Sequence, residues 1–324
     1  MMTYEEFENA ILKGIKVRMG DGYKAETQKI ARNNGLMLNS ITIKSQGDRI
    51  SPVIYLEPYF EKYNKGMDME EILAEIPQIY EGRLKQGQNF AGYSFDFDQL
   101  KNRVIFRLIC QEENMELLSD IPNTPYLDLA IVYYVLWDTD DLGQSVVLIH
   151  NAHLKKWGVT KEELHRLAEV NTERLCPASI RTIQDVMYDM IKTMLGEEAG
   201  ELCNTDELDE EGFQMFVLTN EKSLNGACCI LYEDLLQKFA ERKNADIIIL
   251  PSSVHEMLLI PDWGEISYEE ISSMVAEINQ SEVLEEDRLS NQIYRYSRSS
   301  GTIEIVFHSE KCLIERAPEK SRLG

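Results

Sequence analysis

The longest uninterrupted apolar run, Leu129 to Trp137, is nine residues, and it limits the fold more than any other stretch. A membrane-spanning helix needs about 20 apolar residues, so the run is too short to cross a bilayer. Within it Leu129 to Leu136, β-branched and apolar on both faces, fits a strand covered on both sides. Ser145 to Ile149 has the same character and follows across the acidic turn Asp138 to Gly143. Both segments are expected to be central strands.

Helix starts are marked by Ser or Thr followed three residues later by Glu, a spacing at which two side chains cap each other's backbone amides. Thr3 and Glu6 open a helix with Phe7, Ile11 and Ile15 inward. Thr160 and Glu163 open one with Leu164, Leu167, Ala168 and Leu175 inward, and Ser267 and Glu270 one with Ile271, Met274, Val275 and Ile278 inward. Asp68 and Glu71 point to a further helix disturbed at Pro77, and Thr182 to one running to Leu195. Among the aromatics Tyr55, Tyr59, Phe60, Tyr63 and Tyr80, the three at 59, 60 and 63 fall within one helical turn after Glu57 and form a stripe that reads as core.

Tyr23 to Ala31 and Leu36 to Ile43 flank Asn33-Asn34-Gly35, residues that tolerate the positive φ of a tight turn, so the two form a hairpin. Ile50 to Leu56 carries Pro52, which directs it to a sheet edge. Phe213 to Leu218, Ala245 to Leu250 and His255 to Ile260 are further strands, with a helix from about Tyr232 to Lys243. The expected fold class is α+β, with an N-terminal helix-plus-hairpin domain over 1–92 and a larger C-terminal mixed α/β sheet domain over 93–316. The Gly82 to Gly92 stretch is the expected linker, and residues 317–324, with Arg316 just before them, an expected disordered tail.

Charge narrows the partners. The chain of 324 residues holds 33 Lys and Arg against 56 Asp and Glu, a net charge of −23. Residues 61–287 account for all of that excess, with 18 basic and 45 acidic groups. Such a body disfavours nucleic acid and anionic membranes by net attraction. Glu197 to Glu211 carries eight acids without a Lys or Arg, and residues 197–212 are expected to be an exposed, mobile linker. Asp262 to Asp287 carries nine, the expected wet face of an amphipathic helix. The opening Met-Met-Thr-Tyr-Glu-Glu-Phe-Glu lacks the basic-then-apolar order of a signal peptide, so a cytoplasmic protein is expected. Cys110, Cys176, Cys203, Cys228, Cys229 and Cys312 show no CxxC spacing and read as reduced, mostly buried thiols.

Six phrases carry a resemblance: NNGLMLNSITI, ISPVIYLEPYFEKYNKGM, LIHNAHLKKWGVTKEELHRLAEVNT, FVLTNEKSLNGACCILYEDLL, IIILPSSVHEMLLIPD and LSNQIYRY. Together they resemble the bacterial family of unknown function DUF5688 from end to end, and WGVTKEELHRLAEVN is more distantly similar to the family DUF1444. The resemblance implies a bacterial cytosolic protein, often of anaerobes and mobile elements. It implies no activity.

Three constellations hold residue types that do chemistry. In PSSVHE, between two apolar strands, Ser252 or Ser253 with His255 and Glu256 supplies a nucleophile, a base and an acid. Strand alternation sends His255 and Glu256 to opposite faces and no G-x-S-x-G elbow is present, so a structural turn is the competing reading. His150 and His153 form an HxxH at a strand-to-helix junction, with His165 near Glu162 and Glu169 on the next helix. No HExxH or third ligand follows from the spacing, so no metal and no cofactor is expected, a metal-dependent enzyme remaining the weaker alternative. Thr219 and Asn220 after one strand, with Asn225 and Gly226 downstream, offer backbone amides for a ligand; the phosphate-loop patterns GxxxxGK[ST] and GxGxxG are missing. If LTN, NGA and PSSVHE converge, they make the best pocket the chain can offer.

No complete catalytic or cofactor motif occurs. The expected function is a non-enzymatic binding or regulatory protein whose partner is a protein rather than nucleic acid, with a hydrolase-like enzyme at the PSSVHE turn as the alternative.

Overall fold

The computed structural model describes residues 2–45, 53–88, 96–140, 143–195, 214–251, 253–264, 267–309 and 313. The chain divides into two compact units, Met1–Gln99 and Leu100–Gly324. The expected boundary at 92/93, the acidic stretch 197–212, Pro52, Cys203, Cys312 and the tail all lie outside the described residues.

In the first unit, α1 (Tyr4–Met19) starts where the sequence places it. The Glu6 amide donates to Thr3 Oγ1 at 3.2 Å and the Thr3 amide to the Glu6 carboxylate at 2.8 Å, so two end amides are satisfied reciprocally. β1 (Tyr23–Ala31) and β2 (Met37–Ser45) pair antiparallel, with Asn34 at φ 60° and Gly35 at φ 68° turning the chain between them. Among the described residues β3 (Val53–Tyr55) pairs only with β2 and so lies at the edge. α2 (Glu57–Asn64) and α3 (Met69–Gln88) complete the unit. Phe7, Ile11 and Ile15 meet Ile41, Ile43, Tyr59, Ile72, Ile76 and Tyr80 in one buried core, with Phe60 and Tyr63 packed against it. α3 continues through Pro77 and Gly82 to Gln88, so most of the expected linker is helix. The apolar period from Ile72 to Tyr80 and the helix formers that follow outweigh two glycines at about 1 kcal/mol each.

The second unit begins at the end of a one-turn helix, α4 (Phe97–Leu100). β4 (Val104–Cys110), α5 (Met115–Asp120), β5 (Asn123–Tyr126), β6 (Leu129–Asp140) and β7 (Gly143–Leu148) follow. The expected central strand is β6: β4 runs along one edge, and β5 then β7 along the other. β7, also expected to be central, pairs among the described residues only with β6, so it lies at an edge of the sheet, and it is half-buried.

Next come α6 (Asn151–Trp157), α7 (Lys161–Leu175), β8 (Ala178–Thr182), α8 (Ile183–Leu195), β9 (Phe216–Asn220), a 3-10 segment at Gly226–Leu231, α9 (Leu235–Lys243), β10 (Asp246–Leu250), β11 (Met257–Asp262), α10 (Tyr268–Ser281), β12 (Ile293–Ser297) and β13 (Thr302–Phe307). The six strands form one sheet in the order β13-β12-β10-β11-β9-β8. Every ladder among the described residues is antiparallel, which makes the chain a mixed α+β protein. Thr160 and Ser267 cap α7 and α10 as the sequence predicts.

α10 buries Ile271, Ser272, Val275, Ala276 and Asn279, whereas Met274 and Ile278, expected inward, are exposed. The helix is rotated because Asn279 Nδ2 donates to the Ser290 carbonyl at 3.1 Å and to Asn291 Oδ1 at 2.8 Å. Among the described residues no helix is long and apolar enough to cross a membrane.

The two sheets of this unit are joined at Asp128, in the two-residue turn between β5 and β6. Its carboxylate accepts from Ser290 Oγ at 2.6 Å and from the hydroxyl of Tyr294, a fully buried residue of β12. Burial first, then the Asp128 charge, holds the Tyr294 pKa well above its ordinary value, and burial pushes Tyr126 up to about 12. A folded-state pKa above the unfolded value contributes stability fully present below about pH 10, the unfolded tyrosine pKa, and lost as pH rises beyond it. Tyr294→Phe is expected to cost about 1–3 kcal/mol at neutral pH. It should also flatten the stability loss above pH 10, read by denaturant titration across pH; an unchanged alkaline slope would contradict the assignment.

Candidate functional site

LTN, NGA and PSSVHE come together within the second unit, at one end of β9 and β11. The His255 carbonyl is their meeting point: it accepts the Thr219 hydroxyl at 2.8 Å and the Gly226 amide at 2.9 Å. The Ala227 amide donates to the Val254 carbonyl at 3.2 Å, closing a second bond between the same segments. Only glycine fits at 226. A Cβ there would stand 2.5 Å from the Asn220 nitrogen and 2.8 Å from the His255 carbonyl oxygen, and would clash with Thr219 Oγ1.

The remaining polar groups fasten this knot. The Asn220 carboxamide accepts from the Lys222 amide at 3.0 Å and the Leu224 amide at 3.3 Å and donates to the Leu224 carbonyl at 2.7 Å. Asn225, at φ 54°, occupies the left-handed region that Asn tolerates. Its amide donates to His255 Nδ1 at 3.1 Å, so the ring proton sits on Nε2 in the neutral imidazole. That nitrogen lies 3.2 Å from the Asp287 carboxylate. Ser253 Oγ accepts the amides of His255 at 3.1 Å and Glu256 at 3.3 Å, an arrangement that caps the turn. Ser252 lies outside the described residues. Glu256 is half-buried; burial raises its pKa and the neighbouring His255 opposes the rise, and among the described residues its carboxylate has no hydrogen-bond partner. The structure thus brings Thr219, Asn220, Gly226, Ser253 and His255 together through bonds within the fold.

The histidines of HxxH are also engaged. His150 Nδ1 bonds the Asp120 carboxylate at 2.7 Å, and His153 Nδ1 accepts the His150 amide at 3.0 Å while its ring stacks on Trp157. Burial, then the neighbouring His150, lowers the His153 pKa. His165 lies on α7: its Nδ1 is 2.9 Å from the buried Tyr133 hydroxyl, which also bonds Thr124 Oγ1 at 2.9 Å, and its Nε2 is 3.4 Å from Glu169. Among the described residues no three His, Cys, Asp or Glu side chains are grouped to hold a metal ion.

Asp287 is the residue the sequence did not single out. It is one of nine acids between 262 and 287, and the isolated bridge between Ser253 and Arg288, with the Val254 amide donating to the Asp287 carbonyl at 2.8 Å, brings it beside His255.

The fold and these bonds define an α+β protein in which Thr219, Asn220, Asn225, Gly226, Ser253 and His255 are drawn into one hydrogen-bonded junction. The chain belongs to the family of unknown function DUF5688, whose model matches residues 4–298. No curated protein and no solved structure matches it.

Gly226→Ala should destabilise the second unit by about 3 kcal/mol, since two of the three clashing atoms are backbone. Ser253→Ala, which removes a cap and no packing, should cost about 1 kcal/mol. Chemical denaturation measures both, and a neutral Gly226→Ala would show that the junction can open.

Proposed function

We propose that the protein is a non-enzymatic binding or regulatory protein, resident in the cytoplasm, whose partner is another protein. The observation that carries the reading is the commitment of His255 and Ser253 to the fold. Both ring nitrogens of His255 face partners, and Ser253 Oγ holds two backbone amides. A general base needs an open nitrogen in reach of substrate, and a nucleophile needs a base in reach of its proton. Cytoplasmic residence is supported by the free, buried thiols of Cys110, Cys176, Cys228 and Cys229. A net charge of −23 supports a neutral or basic partner surface over nucleic acid. Affinity capture of the tagged chain from its native host, followed by mass photometry of the eluate, should return a stoichiometric complex with one protein; a bare monomer with nothing retained contradicts the reading.

One contact favours a second reading, a hydrolase-like enzyme at the PSSVHE turn: the carboxylate of Asp287 at 3.2 Å from His255 Nε2 has the orienting place of an acid in a nucleophile-base-acid set. Activated esters and peptides distinguish the two. The binding reading expects no turnover above buffer, whereas turnover that Asp287→Asn reduces with the fold intact would establish the enzyme.

A further inference from the structure

We infer that the methionine face of α8 docks an amphipathic helix of a partner protein that carries Lys and Arg along its polar side; the inference rests on the binding reading above. α8 has the sequence of a core helix. Ile183, Val186, Met187, Met190, Ile191, Met194 and Leu195 recur at the helical period and make a single apolar stripe. A helix of this pattern inside a globular unit turns the middle of that stripe to the core. Here it faces outward: at 3.6 residues per turn Met187, Met190 and Met194 fall within an arc of about 60° at the stripe's centre. They are 54%, 58% and 77% exposed. No described side chain of α8 is buried.

The polar side of the helix is held in place. Thr182 Oγ1 accepts the Asp185 amide at 3.1 Å and caps the first turn, and Arg181 pairs with Asp189 at 2.7 Å. The helix is therefore capped and tethered from one side while its apolar centre stays in water. Unbranched methionines adapt their shape to different partners, which is the use exposed methionine stripes have in helix recognition.

Charge selects the occupant. The chain carries −23 overall, and the sequence that continues from α8 holds eight acids and no Lys or Arg between 197 and 211. A second copy, equally acidic, would be repelled; a helix with basic flanks is attracted and steered.

The test uses the full chain and a synthetic Leu/Lys peptide of about five helical turns, with a Leu/Glu peptide of the same pattern as control. Fluorescence anisotropy should show binding of the Leu/Lys peptide and none of the Leu/Glu peptide. A triple variant, Met187→Gln, Met190→Gln and Met194→Gln, keeps helix propensity and should weaken binding by about tenfold or more, with Met190→Gln alone weakening it less. Equal binding by wild type and triple variant would assign the affinity to net charge and overturn the proposal. So would absence of binding by wild type, or a wild-type dimer that the triple variant dissolves. A native partner that stays bound to the triple variant overturns the α8 assignment and leaves the binding reading standing, whereas capture of no partner defeats that reading itself.

Discussion

The larger unit depends on the carboxylate of Asp128. β4 to β7 and β8 to β13 form separate sheets, and Asp128 reaches from the turn of one to Ser290 and Tyr294 of the other, across more than 160 residues of chain. Reaching it has a cost: Leu127, beside it in the turn, is held at φ 55°, a region that disfavours a non-glycine residue by about 1–2 kcal/mol. Charge-assisted bonds at about 1.5–3 kcal/mol each offset that strain. The same Ser290 accepts the Gln292 amide and, through its carbonyl, the buried Asn279 that sets the rotation of α10. One carboxylate thereby fixes how the second sheet and its covering helix sit on the first.

The same economy governs the polar residues that resemble a site. Asn220, Asn225, Ser253 and His255 carry the residue types of catalysis and ligand binding, and each is consumed in closing the junction around Gly226. α7 behaves alike at its end, where Thr172 Oγ1 accepts the Phe106 amide at 3.0 Å and the Tyr232 hydroxyl donates to the Cys176 carbonyl at 2.7 Å. A buried polar group must find a partner, and here the partners are other segments of the same chain. The outward stripe of α8 is apolar surface that the fold leaves exposed.

Local signals were legible in the sequence. The pairs Thr3 with Glu6, Thr160 with Glu163 and Ser267 with Glu270, the Asn34-Gly35 turn and the doubly apolar β6 each act within a few residues, so their spacing carries the information. The convergence of LTN, NGA and PSSVHE was legible only as a condition, because it depends on β9 and β11 being neighbours in the sheet, which no local spacing encodes. Non-local choices were hidden. Met274 and Ile278 match the helical period as well as Ile271 and Val275 do, and the preference for burying Ser272 and Asn279 comes from Ser290 and Asn291 beyond the helix. Asp287 beside His255 is likewise a tertiary fact, concealed among acids that read as a wet face.

The central claim is that the junction at Gly226 is structure rather than machinery, and native-state hydrogen exchange tests it directly. The amides of Asn225, Gly226, Ala227 and Val254 each donate within the junction. They should exchange only through unfolding of the whole second unit, with protection equal to that of β10 and β11. Exchange by local opening, at a free energy well below that of the flanking strands, would mark a segment that moves as a functional loop does, and would contradict the account.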